Sequence, residues 1–106
     1  MKLRRKFAVK NQENETLTTS QCKAKAERIS NLVLSKYNMK WQDLKNEGEL
    51  FCGTILENNS TMIIISLHKE HFQSKMLTDM KHILELNFKN VTSTDNECWY
   101  QLRITA

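Results

Sequence analysis

The sequence predicts an α+β domain in which two helices pack on one face of a mostly antiparallel sheet. Three patterns carry that prediction. Apolar and polar residues alternate near both ends of the chain, at 2–10 and 98–105, two internal stretches repeat apolar residues at helical spacing, and between those stretches two apolar runs flank a short polar turn. Period-two alternation marks a half-buried strand, whereas spacings of three and four mark a helix with one buried face.

Residues 2–10 place Leu3, Arg5, Phe7 and Val9 on one face and Lys2, Arg4, Lys6, Ala8 and Lys10 on the other. The first strand therefore has a basic outer face. Polar residues 11–16 read as a loop, and Thr18, Thr19 or Ser20 can cap a helix, with Thr18 and Gln21 at capping-box spacing. Behind them Cys22, Ala26, Ile29, Val33 and Tyr37 share one stripe, which predicts a helix over 20–36. Met39, Trp41 and Leu44 fit either a short second helical turn or a plug of Trp41 at the core edge.

Residues 50–56 and 61–68 then form a hairpin around Glu57, Asn58, Asn59 and Ser60. The consecutive Ile63, Ile64 and Ile65 make its second strand apolar on both faces, as befits a central strand. Phe72, Met76, Met80, Ile83 and Leu84 recur at helical spacing and predict a helix over 71–86. An extra short strand fits near 88–92. In the closing strand Cys98, Tyr100, Leu102 and Ile104 alternate with Trp99, Gln101, Arg103 and Thr105. The order is strand-helix-strand-strand-helix-strand. With no repeats, no proline and only Gly48 and Gly53, no linker is visible, and residues 1–106 read as a single domain.

A 40% hydrophobic fraction suffices for one core without metal or disulfide support, and a net charge of +4 favours a polyanionic partner. Cys22, Cys52 and Cys98 are odd in number and widely spaced, which reads as three reduced core thiols inside a cell. The basic start leads into alternation rather than an apolar run, so no signal peptide is read there. No stretch approaches the ~18 apolar residues of a membrane span. A cytoplasmic protein without a membrane partner is expected, and the sequons at Asn14, Asn58, Asn59 and Asn90 read as chance matches in an asparagine-rich chain.

For catalysis the candidates are His68, His71 and His82 with Glu70, Asp79 and Asp95. His68, Glu70 and His71 straddle a strand-to-helix junction, the arrangement of a small metal hydrolase, but nothing nearby in sequence completes a metal shell. No histidine is placed beside a cysteine, and two isolated glycines cannot form a phosphate loop. The expectation is a non-enzyme with no cofactor, no metal and no small-molecule substrate.

Nucleic-acid binding has more support. Lys2, Arg4, Lys6 and Lys10 form a cationic stripe, and Arg103 with Trp99 extends the same logic to the last strand. A flat basic face with an aromatic suits RNA phosphates and an unstacked base. The simpler reading of the stripe is a solvated lysine face. The first helix adds Lys23, Lys25 and Arg28, with Glu27 among them.

The C-terminal half has a recognisable pattern: a hairpin from Cys52-Gly53-Thr54-Ile55-Leu56 to Met62-Ile63-Ile64-Ile65-Ser66, then Phe72-Gln73-Ser74-Lys75-Met76-Leu77, Met80-Lys81 and Trp99-Tyr100-Gln101-Leu102-Arg103. This resembles the eukaryote-specific large-subunit ribosomal protein family numbered twenty-two, and the similarity extends back to Lys6-Phe7. The family's second helix is lysine-rich, whereas this one sets Thr78, Asp79 and Glu85 beside Lys75 and Lys81, and the family's lysine-rich extension and acidic tail are missing from this sequence. The resemblance implies a structural protein of the cytosolic large ribosomal subunit that contacts ribosomal RNA and neighbouring ribosomal proteins. Lys2, Arg4, Arg5, Lys6, Lys10, Lys75, Lys81 and Arg103 would then meet RNA. The alternative is a small protein-interaction adaptor using the doubly apolar strand at 62–67 and the exposed aromatics Phe51 or Trp99.

Overall fold

A computed structural model of the chain describes residues 18–105. The strand expected at 2–10 and the loop at 11–16 lie outside them. Within them the order is α1 (Thr19–Ser35), α2 (Trp41–Asn46), β1 (Leu50–Glu57), β2 (Ser60–His68), α3 (Ser74–Glu85), β3 (Asn90–Asp95) and β4 (Trp99–Thr105). The fold is α+β, with the four strands in the order β1-β2-β4-β3 and every pairing antiparallel.

Helix α1 starts where its cap dictates. The Thr18 hydroxyl accepts from the Gln21 N–H at 3.2 Å, and the Gln21 side chain accepts from the Thr18 N–H at 2.9 Å. It closes at Asn38, which takes a left-handed φ of 60°, as asparagine tolerates. Met39 N–H then reaches the Leu34 carbonyl and Asn38 N–H the Ser35 carbonyl, the paired bonds of a Schellman closure. Helix α2 ends in the same way, with Gly48 at φ 77° and bonds from Glu49 to Leu44 and from Gly48 to Lys45. Trp41 both opens α2 and is buried in the core, so the two sequence readings of that segment are both realised.

The hairpin turns through Asn58 and Asn59, both at positive φ, which gives the backbone twist that matches two antiparallel strands. One face of the sheet, carrying Leu50, Ile63, Ile65, Leu67, Leu102 and Ile104, is buried against Ala26, Val33 and Leu34 of α1 and Met76, Met80 and Leu84 of α3. The two long helices run in opposite directions. Lys25 at one end donates to the Asn87 carbonyl at 3.3 Å, and the Tyr37 hydroxyl at the other donates to Asp79.

Two boundaries differ from expectation. Helix α3 begins at Ser74 rather than residue 71, because His71 closes a turn onto the His68 carbonyl and Gln73 caps the helix in extended conformation. Phe72, 2% exposed, matches the helical spacing of Met76 yet sits before the cap as an anchor. The extra strand falls at Asn90–Asp95 rather than 88–92, and Phe88 packs against the core. Of the three cysteines expected in the core, Cys22 is buried and Cys52 half-buried, but Cys98 is exposed because it lies in the turn before β4 rather than in the strand; burial of Cys52 pushes its thiol up to about 11.

Candidate nucleic-acid interface

The second face of the sheet has no helix over it among the described residues. Alternation decides which side chains it presents: Phe51, Gly53 and Ile55 from β1; Met62, Ile64, Ser66 and His68 from β2; Trp99, Gln101, Arg103 and Thr105 from β4; Thr92 and Thr94 from β3. Phe51 is 53% exposed and Ile55 40%. The doubly apolar character read at Ile63 to Ile65 thus divides into a buried row and an open row.

The open face is an aromatic corner joined to a polar shelf. Phe51 and Trp99 approach to 5.5 Å between ring centroids, and His68 sets its edge against Trp99 at 4.8 Å. Beside them Arg103 Nε donates to the Gln101 side-chain oxygen at 3.2 Å, which holds the guanidinium along the sheet surface. Gly53 lies between Phe51 and Ile55 on the same row, and a Cβ added there meets nothing within 4 Å. The missing side chain leaves a groove of about 320 Å³ lined by Phe51, Ile55, Ile64, Ser66, Gln101 and Arg103. A flat surface with two rings, an amide and a cation suits a planar, hydrogen-bonding guest such as a nucleobase.

The cations expected to meet RNA do not all gather on this face. Lys2, Arg4, Arg5, Lys6 and Lys10 lie outside the described residues. Arg103 is on the open face, whereas Lys75 and Lys81 are on α3 in the opposite layer. Lys75 is exposed and Lys81 half-buried. Six residues apart, they point about 120° from each other around the helix. No ion pair engages Lys75, Lys81 or Arg103 among the described residues, while Lys69 is held by Asp95 at 2.7 Å and Lys23 and Lys45 approach Glu27 at 4.0 Å. Residues 1–17 hold five of the sixteen Lys and Arg and two of the twelve Asp and Glu, leaving eleven against ten elsewhere. The cationic excess therefore rests mainly on the N-terminal segment.

Gln101 and Gly53 were not singled out in the sequence as surface determinants. Gln101 was visible only as the neighbour of Trp99 and Arg103 in an alternating strand, and the groove at Gly53 depends on which rows the pairing register brings together. No family model, no curated protein and no solved structure matches this chain.

Proposed function

We propose that the protein is a non-catalytic, RNA-binding constituent of the cytosolic large ribosomal subunit. The observation that carries this reading is the open sheet face, where Phe51, Gln101 and Arg103 line an open groove of about 320 Å³ and Trp99 packs against Phe51 beside it. Unpaired bases stack on the rings, Gln101 and Arg103 hydrogen-bond their edges or the adjoining phosphate, and Lys2, Arg4, Arg5, Lys6 and Lys10 neutralise the flanking backbone. Lys75 and Lys81, in the other layer, meet a separate RNA segment. The resemblance of the hairpin, α3 and β4 to the ribosomal family supports the choice of ribosomal RNA.

The test is co-sedimentation of the full chain with large-subunit particles, together with Gly53→Val. A Cβ at Gly53 meets open space among the described residues, and valine there improves strand propensity and projects into the groove. Unchanged or higher thermal stability with RNA affinity lowered about tenfold supports the proposal. Absence from the particles, or unaltered RNA affinity in the variant, removes it. A protein partner that binds the same face and survives high salt would favour the adaptor reading, for which the exposed Phe51 and Ile55 provide apolar area.

A further inference from the structure

At the end of the sheet away from the hairpin turn, Glu49 precedes β1, His68 ends β2, and Glu70 and His71 lie in the turn before α3. Backbone bonds pin this group. His68 N–H donates to the Glu49 carbonyl at 3.0 Å, and His71 N–H donates to the His68 carbonyl at 3.0 Å. One ligand atom from each of Glu49, Glu70 and His71 lies within 4.8 Å of the other two.

Glu49 Oε1 is the informative atom. It faces His71 Nε2 at 3.2 Å and His68 Nδ1 at 3.5 Å, within ion-pair distance of either imidazole, while the Glu49 side chain keeps 22% of its surface in solvent. A carboxylate oxygen and an imidazole nitrogen this close also stand at the spacing of two ligands of one ion. Bonds of 2.0–2.2 Å in a tetrahedron put neighbouring ligand atoms roughly 3.4 Å apart.

We propose that Glu49, Glu70 and His71 form a binding site for a divalent transition metal of the zinc class, adjoining the aromatic corner that His68 and Trp99 share. Glu49 supplies its Oε1, His71 its Nε2, and Glu70, whose side chain is 78% exposed, closes the third position by a swing through solvent. Water takes the fourth. His68 is a positioning residue, because its Nδ1 already accepts the Glu70 N–H at 3.3 Å and so fixes the turn. Two carboxylates balance the ion's charge, and the imidazole selects zinc over magnesium or calcium, which take all-oxygen shells.

The test is calorimetric titration of the chelator-treated full chain with zinc chloride, with magnesium and calcium chloride alongside. One equivalent of zinc binds, and neither other ion does. Glu49→Gln and His71→Ala each weaken binding by more than about 100-fold, and His68→Phe weakens it roughly tenfold as an outer-shell partner. Glu70→Gln changes only an exposed side chain and isolates the metal from folding; it weakens binding about tenfold or more, with an unaltered circular dichroism spectrum. Trp99 emission changes with saturation, because the His68 edge rests on that ring. Lack of saturable zinc binding overturns the proposal. So does binding that survives Glu70→Gln and His71→Ala but is lost when Cys22, Cys52 and Cys98 are replaced by alanine.

Discussion

Phe51 and Trp99 meet at 5.5 Å across a strand that belongs to neither of them. Phe51 pairs with Ser66 and Trp99 with His68, so the contact passes diagonally over β2. Ser66 is small enough to let the two rings close above it. The two rings are tilted by 53° to each other and together form an aromatic corner spanning three strands.

That surface predicts a specific loss. Each base stacked on an aromatic contributes about 1–3 kcal/mol, so Trp99→Ala should weaken RNA binding roughly tenfold to a hundredfold, and Phe51→Ala by a similar or smaller factor. Fluorescence anisotropy with single-stranded segments of large-subunit RNA measures it. Equal affinity for parent and Trp99→Ala would show that the face is not the RNA surface.

Charge should be divided unequally among the cations. Each phosphate neutralised on a duplex contributes roughly 0.9 to the slope of log affinity against log salt, so converting Lys2, Arg4, Arg5, Lys6 and Lys10 to glutamine should flatten the slope by several units. Replacing Lys75 and Lys81 should do less, because they diverge around α3 and share it with Asp79 and Glu85. A salt titration of both variants checks this. A larger loss from the helix variant would make α3 the principal RNA surface.

Ser30 is wholly buried on α1, and its hydroxyl has no hydrogen-bond partner among the described residues. Leaving a polar group so placed costs about 1–3 kcal/mol, so Ser30→Ala should stabilise the fold by about 1 kcal/mol. For a domain of this size that raises the thermal midpoint by roughly 4–8 °C. A lower midpoint would mean that the hydroxyl makes a bond in solution.

Tyr37 gives a pH signature. Its hydroxyl donates to Asp79, and that hydrogen bond, followed by burial and the carboxylate's charge, raises its pKa above the usual tyrosine value. A raised pKa means the folded chain holds the proton more tightly than the unfolded chain. The stabilisation is complete below the unfolded value near 10 and is lost as pH rises through the folded value. Denaturant midpoints of the parent should fall more steeply than those of Tyr37→Phe above pH about 10, with the two profiles parallel at neutral pH.

The legibility of the fold follows how local each signal is. Thr18 and Gln21, three residues apart, brought the start of α1 to within a residue, and Asn58 and Asn59 reported the hairpin turn. Phe72 misled because an anchor before a helix cap can share the helix's spacing. In the candidate sites, Trp99 and Arg103 were readable from alternation, but Phe51 against Trp99 and Glu49 against His71 were not. Those pairs exist only after β1, β2 and β4 have chosen their registers, and register depends on tertiary packing.

The strand order sets a timetable for assembly. β4 occupies an interior position, between β2 and β3, although it comes last among the described strands. During synthesis the β1–β2 hairpin and both long helices can form early, but β3 has no neighbour until residues 99–105 emerge. β3 and β4 then close locally across residues 96–98, but docking β4 beside β2, which joins Met62 to Thr105, is a non-local closure and slow compared with hairpin or helix formation. A nascent chain stalled before Trp99 would therefore expose one side of β2 and the underside of α3, which makes release of the final strand the step that commits the molecule to its native state.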